Sequence, residues 1–221
     1  MAHPYFHAAS SARKFGGPAF FYLPAHAFFD ETKAHCHNVR HRALRHSVEG
    51  IALAGELLGE TIFNGVEDIA TEKIGVQHVM EDCGFVPHAA DWLRRFRAQP
   101  SMEKAQHLTT QEAADASAQK YGGSPDSYLC AHAFLDQVGN DLPGMAIRHH
   151  GEGIFLAERK FGVAVTNSQG REVPVRFLGE LHMMLHFRKI PTVTDWLYSI
   201  LLQDWMRGAG ENLEHATVLS V

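Results

Sequence analysis

The sequence predicts two homologous, mainly helical domains, each with one small β-hairpin, arranged as a pseudo-dimer. Three observations predict this fold class. The chain of 221 residues contains a long internal repeat, its apolar residues recur mainly at helical spacing, and each repeat has one place with the composition of paired strands. Because each repeat is about one hundred residues long, each can form a small domain with its own core.

The repeat is visible in short motifs that return in the same order. The predicted repeat domains cover residues 3–102 and 111–207, joined by a linker rich in Gln, Ser, Thr and Ala. Because the order of the motifs is unbroken, we infer a tandem duplication. The clearest pairs of motifs are SARKFGG at 11–17 with SAQKYGG at 117–123, AHAFFD at 25–30 with AHAFLD at 131–136, and RHSVEG at 45–50 with RHHGEG at 148–153.

Three helices are expected in the first half of each repeat. In the first repeat, a helix over residues 8–15 is expected to end at Gly16, since glycine readily adopts the positive φ of a helix C-cap. A second helix begins at Pro24, in the favoured first turn. Asn38 caps a longer third helix that runs to about Leu58, with apolar residues at helical spacing.

The β-hairpin follows the third helix and is clearest in the second repeat. There, residues 163–166 and 172–177 are rich in β-branched residues and flank the turn sequence NSQG at 167–170. Pro174 lacks a backbone N–H and would confine its strand to an edge. The equivalent segment of the first repeat, around residues 67–70, predicts an eroded hairpin.

A fourth and a fifth helix complete each repeat, and a tryptophan on the fifth is expected in the core. Thr192 and Asp195 resemble a capping box with Asp in place of Glu. The predicted positions are residues 75–82 and 179–186 for the fourth helix, the residues after Pro87 and Pro191 for the fifth, and Trp92 and Trp196 for the buried anchors.

Composition limits the functions that the chain can have. Its formal charge of −5 argues against a nucleic-acid-binding surface, because phosphate contacts need clustered Lys and Arg. No apolar run approaches the ~20 residues of a membrane span. Cys36, Cys83 and Cys130 show no close pairing, and the N-terminus lacks the layout of a secretory signal, so we expect the reducing cytoplasm. The unusual number is sixteen histidines.

Three places in each repeat carry pairs of ligand-type side chains three or four residues apart, on one face of a helix. Imidazole with carboxylate suits Zn, Mn, Fe or Ni, so the pattern predicts one divalent metal with four to six ligands, or two metals that share carboxylates. The alternative is that each pair only forms a structural hydrogen bond. The candidate metal ligands are His26, His46, Glu49 and His78 in the first repeat, and His132, His149, Glu152 and His182 in the second.

A metal centre of this kind could serve a hydrolase acting on a phosphorylated or otherwise anionic small molecule. In that hypothesis Asp30 or Asp82 is a further ligand or a base, and Arg45 holds the anion. A structural bridge from Arg45 to Glu49 or Asp30 is the alternative for the arginine. His41 has no counterpart in the second repeat, so the first would be the fuller version of a catalytic site.

The competing hypothesis is a non-catalytic interaction module, such as a regulatory protein that binds a protein partner across the pseudo-twofold surface.

Gly50 and Gly153 also recur, inside the predicted third helix, where glycine costs ~1 kcal/mol relative to Ala. Their retention predicts close helix packing or a close backbone approach at this position.

The combined motifs resemble those of an uncharacterised bacterial and phage domain family, whose members are single domains of about the repeat's length. The resemblance implies the domain but brings no known activity. The second repeat lacks the HRAL start and the first has the weak hairpin, so strict equivalence of the two repeats is not expected. The matching motifs are HPY at 3–5, DETK at 30–33, HRALRH at 41–46, EGIFLAE at 152–158, the hairpin segment at 166–176 and WM at 205–206.

Overall fold

Two units, each mainly helical, are formed by residues 3–100 and 102–207, which are the residues that this computed structural model describes. The first unit contains residues 3–95 and 201–207, and the second contains residues 96–200. Each unit has one two-stranded antiparallel sheet, which confirms the prediction of two mainly helical repeats with a small hairpin each. Among the helices described, none combines the length and the apolar character needed to cross a membrane.

The first unit contains five α-helices and one hairpin. Helix α1 begins at Pro4, earlier than predicted, because the ring nitrogen of His3 accepts the Tyr5 N–H and proline suits the first turn. It ends as predicted at Gly16, with φ of 79°. The elements are α1 (Pro4–Phe15), α2 (Leu23–Asp30), α3 (Val48–Leu58), β1 (Thr61–Phe63), β2 (Asp68–Ala70), α4 (Thr71–Cys83) and α5 (Ala89–Leu93), with 3₁₀ turns at Ala19–Phe21, Glu31–Ala34, Val39–Leu44 and Asp204–Arg207.

The second unit repeats this order. The capping box predicted for its last helix is present, because Thr192 Oγ1 accepts the Asp195 N–H and Asp195 Oδ2 accepts the Thr192 N–H. The elements are α6 (Thr110–Tyr121), α7 (Asp126–Asp136), α8 (Leu142–Met145), α9 (Gly151–Phe161), β3 (Ala164–Thr166), β4 (Glu172–Pro174), α10 (Val175–Phe187) and α11 (Val193–Leu197).

An asparagine organises the hairpin of each unit. Strands β1 and β2 pair from Thr61 opposite Ala70 to Phe63 opposite Asp68, so the hairpin predicted to be eroded is formed. Asn64 explains this, since its Oδ1 accepts two backbone N–H groups of the turn at 2.9 Å. Asn167 does the same in the second unit. The side-chain amide therefore supplies the turn that the surrounding sequence lacks.

The long third helix predicted from Asn38 to Leu58 is divided in two. Asn38 caps the 3₁₀ turn Val39–Leu44, and α3 begins only after Ser47, whose hydroxyl accepts the Gly50 N–H. The chain folds back tightly here, so that a Cβ at Gly50 would overlap the Arg45 carbonyl. The recurring glycine is thus required by a close backbone approach.

The end of the first repeat lies in the second unit. Residues 96–100 and Met102 belong to that unit by their contacts. The Arg97 N–H donates to the Ser199 carbonyl at 2.8 Å, and the Ser199 hydroxyl contacts Met102 Sδ at 3.8 Å. Met102 is buried.

The equivalent end of the second repeat, residues 201–207, lies in the first unit. Trp205 packs edge-on against Trp92 with ring centroids 4.7 Å apart, and Met206 is fully buried. Because Met206 is the counterpart of Met102, the two repeats exchange their last segments.

The predicted tryptophan anchors are fully buried and fix the backbone beside a recurring histidine. Trp92 Nε1 donates to the His46 carbonyl at 2.9 Å, and Trp196 Nε1 donates to the His149 carbonyl at 2.7 Å. A buried indole N–H needs an acceptor, so each anchor holds the segment before α3 or α9 in one position.

Candidate metal centres

Each unit buries a cluster of four ligand-type side chains at equivalent positions of the two repeats. In both clusters, one possible ligand atom from every residue lies within 4.8 Å of the others. The fourth position alone differs, with a carboxylate in the first unit and an imidazole in the second. Centre 1 consists of Asp30, His46, His78 and Asp82, and centre 2 consists of Asp136, His149, His182 and His186.

Three separate segments supply the ligands of each centre. In the first unit, Asp30 is the last residue of α2, and His46 lies in the turn that Trp92 fixes before α3. His78 and Asp82 lie one turn apart on α4 and therefore share a face. The same three places, on α7, before α9 and on α10, build centre 2.

Centre 2 has the more compact geometry. The Nε2 atoms of His149 and His182 lie 3.0 Å apart, and Asp136 Oδ1 lies 3.3 Å from each of them. The fourth member, His186, bonds through Nδ1 to the Gln106 carbonyl at 2.6 Å. Its Nε2 is buried without a hydrogen-bond partner. That nitrogen carries the lone pair, because Nδ1 must be the donor to a carbonyl.

Centre 1 is similar but wider. The Nε2 atoms of His46 and His78 lie 3.1 Å apart, and Asp82 Oδ2 lies 3.1 Å from His46 Nε2 and 3.8 Å from His78 Nε2. Asp30 Oδ1 lies 3.7 Å from His78 Nε2. The other oxygen, Asp30 Oδ2, is buried without a hydrogen-bond partner.

These separations fit ligands around a common ion. Metal–ligand bonds of roughly 2.0–2.2 Å at tetrahedral or octahedral angles place neighbouring ligand atoms roughly 2.8–3.6 Å apart. The triangle of His149, His182 and Asp136 has edges of 3.0, 3.3 and 3.3 Å, all in this range. Two imidazole lone pairs at this distance repel each other without a proton or a cation between them. The residues present therefore fit a divalent metal.

A hydrogen-bonded chain behind His78 determines which of its nitrogens faces centre 1. Gln77 Nε2 donates to Glu81 at 2.8 Å, which orients the amide so that its oxygen accepts the Ser11 hydroxyl at 3.0 Å. Ser11 Oγ must then accept from His26 Nε2, 2.8 Å away. His26 Nδ1 in turn accepts from His78 Nδ1 at 2.9 Å. This assignment follows from the network, and it leaves the lone pair of His78 Nε2 facing the centre.

Two contacts of this chain recur behind centre 2, where Leu181 and Leu185 stand in place of Gln77 and Glu81. Ser117 Oγ lies 2.8 Å from His132 Nε2, and His132 Nδ1 lies 3.0 Å from His182 Nδ1. Groups that hold the remote nitrogen of a ligating histidine orient the ring, and they are typical of metal sites.

Burial keeps these imidazoles neutral, which is the form that binds a metal. Loss of hydration lowers the pKa of His132 to about 3 and that of His186 to about 4, with the nearby His182 acting in the same direction. Burial likewise lowers the pKa of His149, despite the opposing contact with Asp136. For the same reason the pKa of His78 lies well below its usual value.

The carboxylates are held ionised. Burial alone would raise the pKa of Asp82, but the contact with His46 and the positive charge of Arg42 lower it. Burial also opposes ionisation of Asp136, but the contacts with His149 and His182 outweigh it, so this pKa is lowered as well.

The predicted ligands divide into three groups by position. His46, His78, His149 and His182 are members of the two centres. His26 and His132 stand behind them, each in hydrogen-bond contact with a histidine of a centre.

Glu49 and Glu152 belong to neither cluster. Glu49 accepts the Ala89 N–H at 2.8 Å and contacts His88, so it ties α3 to α5. Its place in the first turn of α3, after the chain has folded back at Ser47, directs it away from centre 1. Glu152 lies at the same place in α9.

The residues predicted as catalytic are also separated. Asp30 and Asp82 are members of centre 1. Arg45 is buried and donates to the Phe28 carbonyl and to Glu31, and it stacks on the Phe28 ring. These contacts correspond to the structural alternative for the arginine, although the partner is Glu31 where Glu49 or Asp30 was expected.

Sequence reasoning did not single out Arg42 or His7. Arg42 Nη2 lies 3.3 Å from Asp82 Oδ1, and His7 Nε2 lies 3.5 Å from the same oxygen. Neither has a counterpart of its own type in the second repeat, where Met145 and Ala113 stand, so the comparison of repeats could not reveal them. Asp136 and His186 carried a signal, since each pairs with a predicted ligand four residues away.

Comparison with known proteins places both repeats in one family. The family model described as "Domain of unknown function (DUF6915)" matches residues 2–102 and again residues 108–206. No curated protein and no solved structure matches the chain. The double match confirms the tandem duplication and the resemblance to an uncharacterised family.

Proposed function

We propose that this chain, which belongs to the DUF6915 family, is a metal-binding protein with one divalent transition-metal ion in each unit. One observation carries the proposal. In both repeats two buried imidazole Nε2 atoms lie within 3.0–3.1 Å of each other, with a carboxylate oxygen 3.1–3.3 Å from one or both. A duplicated domain that diverged elsewhere has kept this arrangement.

The donor types limit the metal. Neutral imidazole and carboxylate bind Zn, Mn, Fe or Ni, whereas a Ca²⁺ or Mg²⁺ site would be built mainly of oxygen ligands. Centre 1 offers two nitrogens and two oxygens, and centre 2 offers three nitrogens and one oxygen. No thiolate belongs to either cluster of the described residues.

We assign the ions a structural role. A hydrolytic centre keeps a coordination position open for water and substrate, whereas a structural site is closed by four protein ligands. Here four ligands are present in each centre. Asp82 and Asp136 have side chains only 6% and 8% exposed, and the histidines are buried. Asp30 and Asp82 then act as ligands and not as bases.

Elemental analysis of protein purified without a histidine tag tests the proposal. We expect bound Zn, Mn, Fe or Ni, and a fall in melting temperature after treatment with a chelator. A metal at one hundred times its Kd stabilises the folded chain by about 2.7 kcal/mol. Less than about a tenth of an ion per chain, with no gain in melting temperature on adding any of the four metals, would contradict it.

Ligand variants connect the ion to the centres. His78→Ala and His182→Ala should each reduce the bound metal, because each removes a ligand and leaves its partners unpaired. His37→Ala, which removes an exposed histidine outside both clusters, is the control. If the chain is an interaction module without metal, a chelator will leave the melting temperature of the wild type unchanged.

The hydrolase hypothesis has its own assay. With metal-loaded protein and p-nitrophenyl phosphate as the anionic substrate, we expect no turnover above that of the free metal. Turnover that disappears in Asp82→Asn, in a variant that remains folded, would instead assign centre 1 a catalytic role.

A further inference from the structure

Two cations pair with the carboxylates of centre 1. Lys33 Nζ lies 2.6 Å from Asp30 Oδ1, the oxygen that also faces His78 Nε2. Arg42 Nη2 lies 3.3 Å from Asp82 Oδ1, and its Nη1 donates to the Asp82 carbonyl at 3.0 Å. The two positive charges thus stand beside the atoms that would bind an ion.

The equivalent positions of the second repeat are uncharged. Gly139 stands in place of Lys33, and Met145 stands in place of Arg42. In centre 2 the hydrogen bond to Asp136 Oδ2 comes from the neutral hydroxyl of Thr110, at 2.6 Å.

Because of this difference, the two metal-free centres have different net charges. In centre 1 the two carboxylates are balanced by Lys33 and Arg42. Centre 2 keeps the full negative charge of Asp136. Charges in a poorly hydrated site interact strongly, so a divalent ion gains more from the unbalanced carboxylate and meets no competing cation there.

The donor set of centre 2 is also the more preorganised. The contact of His186 Nδ1 with the Gln106 carbonyl aims the unpartnered Nε2 at the cluster. Three imidazoles with one carboxylate form a closed, nitrogen-rich set that suits Zn²⁺. The wider spacing of centre 1 requires its ligands to move closer together around an ion.

We propose that centre 2 is the high-affinity site, and that Lys33 acts as an internal cation that competes with metal at centre 1. This inference rests on the proposed metal-binding function. The Lys33 side chain is 24% exposed, so it can leave Asp30 for solvent when an ion enters.

Titration of the untagged, metal-free chain with Zn²⁺, in competition with a chromophoric chelator, measures the two affinities. We expect one ion to bind at least about tenfold more tightly than the second. His186→Gln should abolish the tight class, and Asp82→Asn should affect the weak class alone. Circular dichroism verifies that each variant is folded.

Lys33→Met tests the proposal even if a ligand variant fails to fold. Removing the competing charge should raise the affinity of the weak class at least about tenfold and leave the tight class unchanged. Lys73→Met is the matched control, because Lys73 is exposed on α4 and its charge lies outside the centre. We expect no change in either class for this control.

The outcomes separate the two proposals. Two equal affinities in the wild type, or no effect of Lys33→Met on the weak class, overturn the assignment of Lys33 and leave the metal-binding function standing. Failure of every metal to bind either centre overturns both the assignment of Lys33 and the proposed metal-binding function.

Discussion

Ser11 determines which ring nitrogen of His78 carries the proton, although Ser11 does not contact His78. By donating to Gln77 it must accept from His26, and through His26 it fixes the proton on Nδ1 of His78. The lone pair of His78 Nε2, a candidate metal ligand, is therefore oriented by a hydroxyl two hydrogen bonds away. Ser117 bonds to His132 behind His182 in the same position, but the second repeat has Leu181 in place of the Gln77 that sets the direction of the hydrogen bonds.

Ser11→Ala tests this chain of hydrogen bonds. The variant leaves His26 Nε2 and Gln77 Oε1 without a partner in a buried place, which should lower the free energy of unfolding by about 1–3 kcal/mol. It should also weaken metal binding at centre 1 by about 10–100-fold, measured by the chelator competition. Ser10→Ala, which removes a bond to Glu81 near the surface, should change neither quantity appreciably.

The buried histidines predict an acid-sensitive fold for the metal-free protein. Burial lowers the pKa of His41 and His132 to about 3 and that of His26 to about 4, below the value of ~6.5 in an unfolded chain. The unfolded state therefore binds more protons, and stability falls as the pH drops from about 6.5 towards 4. Each such residue should cost up to ~2 kcal/mol between pH 7 and pH 5.

Urea unfolding of the chelator-treated protein at pH 7 and pH 5 measures this loss. The lowered pKa values of Asp82 and Asp136 affect stability in a separate pH range. The stability that these carboxylates contribute is lost only below ~3.9, which is their pKa in the unfolded chain. Equal stability at pH 7 and pH 5 would show that the imidazoles are not buried as described.

At this scale the sequence singled out the cluster histidines that recur in both repeats. His46, His78 and their counterparts were found because retention through divergence marks them. Lys33 and Arg42 could not be found in that way, since only one repeat carries them. Glu49 recurs as well, but its role is structural, because it ties two helices together.

At the scale of elements, the turn before α3 and α9 has the strictest requirement. A Cβ at Gly50 or Gly153 would overlap the carbonyl oxygen of the arginine five residues earlier. That turn also carries His46 in centre 1 and His149 in centre 2, so the glycine and the candidate metal centre depend on the same fold of the backbone.

Gly50→Ala should destabilise the protein by more than about 2 kcal/mol, because the overlap involves backbone atoms that cannot move aside. Gly55→Ala in the same helix is the matched control, since nothing lies within 4 Å of the added atom. That control should be neutral or stabilising by up to about 1 kcal/mol. Equal midpoints of chemical unfolding for the two variants would contradict the close approach.

Element boundaries were predictable where local chemistry sets them. The end of α1 at Gly16 and the capping box at Thr192 follow from one or two residues. The division of the third helix depends on the contact between Gly50 and the Arg45 carbonyl, which apolar spacing does not encode. The hairpin of the first unit depends on the side chain of Asn64.

At the scale of the whole molecule, the exchange of the last segments makes each repeat incomplete. The family model spans both repeats to their ends at residues 102 and 206, whereas the units change at Arg95–Phe96 and at Ile200–Leu201. The duplication could be predicted from the sequence alone. The exchange was not, because equivalent segments such as those around Met102 and Met206 carry no mark of the unit that they enter.

Trp205→Ala tests the exchange. Trp205 packs against Trp92, so its loss should reduce the hydrogen-exchange protection of α5 in the first unit. The protection of α11 in the second unit should stay as in the wild type, although α11 is much closer to the mutation in sequence. Loss of protection at α11 with α5 unaffected, measured by mass spectrometry, would show that the segment remains with its own repeat.

The exchange also decides the order in which the nascent polypeptide can mature. The second unit is one continuous stretch, residues 96–200, so all of its parts have been synthesised once residue 200 is added. The first unit starts earlier but needs residues 201–207, which are translated later. Translation from the N-terminus usually lets the leading domain fold first. We therefore expect the first unit to complete its packing only after residues 201–207 have left the ribosome.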